Sequence, residues 1–234
     1  MLVAAAVLPH PPLLVPALAS GAAAELDELR TACSDAVRRL HDETSDRLFV
    51  VGADLGPRGW SFAPWAPGAP EAALGLDVPE PMALPLLVGA WLTRGIRRSF
   101  VVVDAELDPA ECAAVGADLA GSAERVALLV MGDGSARHSV QAPGYVDERA
   151  GRFDDSVAAA FAAADPSALL GIDPGLADDL LVAGRAPWQV LAGAAAGQSW
   201  QAEGSRTEAP YGVGYHVVTW LPAGPAVSKA KVAR

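Results

Sequence analysis

The residues with chemical potential gather in three short segments rich in glycine and proline: Pro9-His10-Pro11-Pro12, Gly52-Ala53-Asp54-Leu55-Gly56-Pro57 and Gly132-Asp133-Gly134-Ser135-Ala136-Arg137-His138. His10 and His138 bring imidazole nitrogens, Asp54 and Asp133 bring carboxylate oxygens, and Glu208 adds another carboxylate just before Gly212-Val213-Gly214-Tyr215. Imidazole and carboxylate together serve either a divalent metal or acid–base catalysis. A site rebuilt from His10, Asp54, Asp133 and Glu208 is rich in oxygen and prefers Mn, Mg or Fe over Zn. Each residue also has a plain structural use. His10 between prolines can hydrogen-bond backbone at a strand end, and Asp54 and Asp133 can cap turns through local N–H groups. His138 and His216 read as surface or internally satisfied histidines, and Cys33 as core. Two catalytic signatures fail on inspection. The segment around Ser135 lacks the second glycine of a G-x-S-x-G elbow and offers no base beyond His138. The glycines at 212–214 precede a strand pattern, whereas a dinucleotide loop opens a helix.

The elements that must hold these segments follow from hydrophobic patterning. Leu2 to Leu8, Arg47 to Val51, Ser99 to Val103 and Val126 to Met131 are apolar runs of strand length without alternation, the pattern of strands covered on both faces. Tyr215 to Leu221, β-branched and aromatic, predicts a last strand. Ala23 to His41 carries Leu26, Leu29, Cys33, Val37 and Leu40 at spacings of three and four, which predicts an amphipathic helix. Further helices are expected at Pro81 to Thr93, Pro109 to Ala120, Arg152 to Ala164 and Pro187 to Ala196. Strands alternating with helices imply an α/β fold, a three-layer α/β/α domain with a central, mostly parallel or mixed sheet. In such sheets ligands collect beyond the carboxyl ends of strands, so all three polar segments are expected to share one cleft able to take a small-molecule ligand. Residues 1–221 are expected to form one domain and 222–234 a flexible C-terminal tail. Gly56 to Pro81, with six prolines, Trp60 and Trp65, reads as a long excursion over the sheet.

Composition narrows the function. Of 234 residues, 17 are Lys or Arg and 28 are Asp or Glu, a net charge of −11, and both lysines, Lys229 and Lys231, stand near the C-terminus. Nucleic-acid binding through many phosphate contacts is therefore not expected, nor is a Schiff-base or P-loop lysine in the body of the fold. Cys33 and Cys112 make neither a zinc motif nor a disulfide framework, which points to the cytoplasm. Met1 to Ala24 is apolar, but His10 and four prolines interrupt it and the first basic residue is Arg30, so it is read as a strand and loop, not a signal or a membrane span.

Four segments carry a family resemblance. Val7-Leu8-Pro9-His10-Pro11-Pro12-Leu13-Leu14-Val15-Pro16 resembles the SPHPPIIVP opening of the class III extradiol ring-cleavage dioxygenase catalytic subunits, a superfamily that includes the protocatechuate 4,5-dioxygenase β-subunit and the Memo-like proteins. Gly132 to Arg137 resembles its GDLSHR. Ala142-Pro143-Gly144-Tyr145 with Phe153-Asp154 is similar to its APxGY and FD, and Ala209 to Tyr215 to its GPFGVGY. The resemblance implies a non-haem Fe(II) held by two histidines and a carboxylate, with a further histidine handling the substrate proton. His10 falls on the first ligand, and it is the only retained ligand position. Leu55 falls on the second, Ala136 on the proton-handling histidine, and Ala183-Gly184-Arg185-Ala186-Pro187 on the segment of the third. Leucine and alanine supply neither a lone pair nor a proton. The expectation is thus a degenerate iron site with no metal or cofactor, and a pseudoenzyme acting as a binding or scaffolding protein whose cleft is lined by His10, Asp54, Asp133, Ser135, His138 and Glu208. The alternative is a divergent Fe(II) or other metal-dependent oxidoreductase or hydrolase using His10 and nearby carboxylates, on a small aromatic or polar substrate. The resemblance also implies a homodimer or a second, different subunit.

Overall fold

The computed structural model describes residues 1–19, 24–54 and 82–224. Six strands, β1 (Leu2–Leu8), β2 (Arg47–Asp54), β3 (Ser99–Asp104), β4 (Val126–Met131), β5 (Trp200–Glu208) and β6 (Tyr215–Pro222), form a sheet in the order β3-β2-β4-β1-β6-β5. β3, β2, β4 and β1 run parallel to one another, while β6 pairs antiparallel with both β1 and β5. The sheet is therefore mixed and mostly parallel, with helices on both faces.

The apolar runs of β1, β2 and β4 owe their lack of alternation to this two-sided cover, whereas β3, expected to be covered on both faces, lies at the sheet edge and leaves Phe100 and Val102 exposed. Ala5 and Val7 of β1, Val51 of β2, Leu128 and Val130 of β4 and Trp220 of β6 enter one core layer. Ala4, Ala6 and Leu8, Val50, Ala127, Leu129 and Met131, and Val217 enter the other. The second layer is closed by α2 (Asp27–Asp42), whose Leu29, Cys33, Val37 and Leu40 are buried, and by α3 (Leu84–Leu92). A short α1 (Pro16–Ala19) precedes them. The first layer is closed by α4 (Pro109–Gly121), α5 (Arg149–Ala163) and α8 (Arg185–Ala195), with short α6 (Pro166–Leu170) and α7 (Pro174–Asp179) between the last two. Asp108 caps α4 with a capping box completed by Glu111, and Asp165 and Asp173 cap α6 and α7. α4 and α8 approach at glycine: a Cβ on Gly116 would lie 2.0 Å from the Val190 carbonyl oxygen, and one on Gly193 would lie 2.1 Å from that of Ala113.

The structure differs from the sequence-based expectation at several boundaries. α3 begins at Leu84 with Pro85 in its first turn, and α8 begins at Arg185, which leaves Pro187 among the first-turn residues whose N–H has no helical partner. α5 starts at Arg149, three residues before the expected Arg152. β5 was not expected, because its polar sequence, Trp-Gln-Ala-Glu-Gly-Ser-Arg-Thr-Glu, packs against β6 as an edge strand and has little core face to reveal. The excursion through Trp60 and Trp65, and Lys229 and Lys231 of the expected tail, lie outside the described residues. Among the described residues no helix is long and apolar enough to cross a membrane.

Candidate functional site

Parallel pairing aligns Leu8 of β1, Met131 of β4 and Gly52 of β2 in one row, so His10, Asp133 and Asp54 each follow two residues beyond it. His10 and Asp133 meet there. The His10 backbone N–H donates to Asp133 Oδ1 at 2.8 Å, and its ring Nδ1 lies 3.5 Å from the same oxygen, too far for a strong bond. That Nδ1 is buried and has no hydrogen-bond partner. Burial, outweighing the Asp133 charge, holds the His10 imidazole below its ordinary pKa. Burial also raises the Asp133 carboxyl, with Asp154 adding repulsion, against the pull of His10 and His216. Both members of this pair thus lean toward their neutral forms.

A second group centres on Asp154, carried by α5 on the same face as Ala150, Phe153, Val157 and Phe161 and 2% exposed. The Ser135 backbone N–H reaches both its oxygens, at 3.2 and 3.1 Å. His138 Nε2 lies 2.5 Å from Oδ2, and His216 Nε2 lies 3.4 Å from Oδ1. Burial opposes ionisation of Asp154, yet the bonds from His138 and His216, the His216 charge and the Ser135 N–H hold its pKa below the ordinary carboxylate range. With Asp154 ionised, His138 must carry its proton on Nε2, and this bond raises the His138 pKa against partial burial. His216 is fixed from its other side by Thr207 Oγ1, 3.0 Å from Nδ1, and by the rings of Phe161 and Trp188.

Backbone alone makes room for this carboxylate. A Cβ on Gly134 would sit 2.4 Å from Asp154 Oδ1, and one on Gly214 would sit 2.2 Å from Oδ2. The two glycine segments are laced together, Gly134 N–H to the Gly214 carbonyl at 2.7 Å and Gly214 N–H to the Ser135 carbonyl at 2.8 Å, with His138 N–H on the Gly212 carbonyl at 3.1 Å. Gly212, at φ 75°, is in the left-handed region that favours glycine.

No protein-family model and no curated protein matches this chain.

Of the remaining predicted positions, Ser135 joins the Asp154 group through its backbone N–H alone. Ser135 is buried and its hydroxyl donates to the Leu180 carbonyl at 3.0 Å, so it is not aimed at His138 as a nucleophile. Asp54 stands exposed at the end of β2 beside Asp104. Glu208, half-buried on β5, faces Arg206 at 2.6 Å. Ala136 is buried, its N–H bonded to the Leu180 carbonyl at 3.1 Å, and Leu55 lies outside the described residues. In the segment expected to hold a third ligand, Gly184 N–H donates to the Asp133 carbonyl at 2.9 Å, while the buried Arg185 guanidinium binds the carbonyls of Ala105 and Leu107 and the Gln189 side chain.

Two central residues, Asp154 and His216, were not among the expected site residues. Their signal was present as a carboxylate on the apolar face of one helix and an imidazole inside an apolar strand, both costly unless partnered. Chemically, the Asp154–His138 pair is an oriented imidazole: the side chain of His138 is 21% exposed, and its Nδ1 is neither buried nor bonded among the described residues. Such a nitrogen can accept or deliver a proton at a bound ligand. Among the described residues no three His, Cys, Asp or Glu side chains are grouped to hold one ion.

Proposed function

We propose that this protein is a divergent member of the class III extradiol dioxygenase catalytic-subunit superfamily whose strand-end cleft binds a small molecule without the Fe(II) centre of that family. One observation carries the reading: the carboxylate nearest the former proton-handling position is consumed inside the protein. Asp154 accepts from Ser135 N–H and faces two imidazoles, and Ala136 beside it is a buried methyl. A carboxylate surrounded by donors gains little by taking a cation as well. The resemblance itself draws support from convergence, since segments 8–10, 132–138, 154 and 212–214 all meet at one end of the sheet. In this reading His138 takes over ligand recognition, offering a hydrogen bond or a proton from an imidazole that Asp154 orients.

A second reading, a divergent metal-dependent enzyme, is favoured by the buried and unpartnered His10 Nδ1 beside Asp133. Metal analysis of tag-free protein, followed by anaerobic Fe(II) titration and a protocatechuate turnover assay, separates the two. The expected outcome is substoichiometric metal, no saturable Fe(II) uptake and no ring cleavage. Stoichiometric metal that disappears in His10→Ala overturns the first reading in favour of the second.

A further inference from the structure

The two edges of the sheet are built differently. β5 bears Glu203, Arg206 and Glu208, shifts register between Glu203 and Arg206, and bends at Gly204, φ 63°. Charges and bulges of this kind stop an edge strand from pairing with another chain. Among the described residues β3 has no bulge, and its one charge is Asp104 at its end. It keeps regular register with β2 from Ser99 to Asp104, contains no proline, and exposes Phe100 (36%) and Val102 (56%). These two residues share a face because they are two positions apart, while Val101 and Val103 turn to the core layer beneath.

The sequence of β3 is complementary to itself. A two-fold axis that sets β3 beside its copy in antiparallel fashion must stand perpendicular to the sheet, which keeps each face common to both chains and pairs only residues of like parity. Centred on Val101, this pairing sets Phe100 against Val102 of the second copy and Arg98 against Asp104 of the second copy, each twice. The Arg98 guanidinium donates to the Thr93 and Ile96 carbonyls at 2.8 and 2.7 Å, lies over the Phe100 ring, and among the described residues pairs with no carboxylate. Its Nε is buried without a partner. The exposed Asp104 accepts the Glu106 N–H at 2.8 Å and has no cationic partner among the described residues.

We propose that β3 is a homodimer interface, in which two copies pair these strands antiparallel about Val101 and continue one sheet across both chains. The contact joins an apolar ribbon of Phe100 and Val102 to two Arg98–Asp104 ion pairs, and it is independent of what the cleft binds. Sedimentation equilibrium of the full chain is expected to give twice the 23.9 kDa chain mass, falling to one chain in Val102→Lys. Arg98→Asp and Asp104→Arg should each be monomeric alone and form a dimer when mixed, because the mixture restores both opposite-charge pairs. Directly opposed residues in an antiparallel pair have Cα atoms about 4.5 to 5.5 Å apart, within disulfide reach. Val101→Cys should therefore cross-link to itself under mild oxidation, and Phe100→Cys should not; the native Cys33 and Cys112 are buried and do not compete. A monomeric wild type overturns the proposal. So does a dimer that survives Val102→Lys, or a Val101→Cys dimer that fails to cross-link.

Discussion

Replacing Asp154 with asparagine tests whether the buried carboxylate organises the site. The amide keeps one acceptor oxygen and places an NH2 where the other oxygen stood. Three donors surround that carboxylate: the Ser135 N–H, His138 at 2.5 Å and His216 at 3.4 Å. One of them must then face the amide NH2. A charge-assisted hydrogen bond contributes about 1.5 to 3 kcal/mol and a buried group left unsatisfied costs about 1 to 3 kcal/mol, while solvent at the partly exposed His138 trims the first figure. A loss of about 3 kcal/mol follows, in line with removing one member of a buried pair. Urea unfolding followed by tryptophan fluorescence measures it, since Trp188 is buried against the His216 ring and Trp220 against Phe161 of the same core layer. The pH dependence is specific. Because folded His138 has a raised pKa, its contribution is complete below the unfolded value of about 6.5 and is lost as pH rises through the folded value. Asp154, with a depressed pKa, contributes fully above about 3.9 and loses that share as pH falls through its folded value. The gap between wild type and Asp154→Asn should thus be widest between about pH 4 and 6.5 and narrow on either side. NMR titration should show the His138 pKa falling in the variant. A loss under about 1 kcal/mol with an unchanged His138 titration would refute the role assigned to the pair.

Three further substitutions probe the surroundings. Gly214→Ala drives a methyl to 2.2 Å from Asp154 Oδ2, so it should destabilise the fold by about 1 to 3 kcal/mol and lower the His138 pKa, read by the same unfolding and NMR measurements. His10→Ala keeps the backbone N–H to Asp133 and removes a buried ring whose Nδ1 has no partner, so the cost is the cavity it leaves, about 1 to 3 kcal/mol by thermal unfolding, with metal content unchanged. Gly116→Ala places a methyl 2.0 Å from the Val190 carbonyl oxygen; α4 and α8 must separate, and chemical denaturation should show a loss above about 2 kcal/mol, more than the same change at the open Gly121, where helix propensity favours alanine.

The layers of the fold were legible because two-sided burial writes itself as uninterrupted apolar runs, and β1, β2 and β4 each carry one; the apolar run of β3 read the same way, yet at the sheet edge it leaves Phe100 and Val102 exposed. β5 was hidden by the same logic, since an edge strand with one poorly covered face keeps charged residues and a glycine. Helix starts slip where a proline marks the first turn without being its first residue: α8 tolerates Pro187 as its third residue because an N–H there would have no helical acceptor.

The site was legible by segment but not by partner. Pattern placed His10, Asp133 and His138 after strands, and His10 does meet Asp133. It was silent on which acid His138 would meet, because Asp154 sits 16 positions away on a helix whose spacing marks it as core. A carboxylate in an apolar stripe is stable only if donors reach it, so its presence there predicts that donors arrive from elsewhere in the chain. Gly134 and Gly214 are the trace of that requirement: two loops without side chains let the Ser135 N–H, His138 and His216 close on one carboxylate. Ionised and buried, Asp154 in turn requires a proton on His138 Nε2, and that fixes the ring nitrogen turned to solvent as Nδ1. The chemistry available to a ligand is therefore set by a residue the ligand does not need to touch.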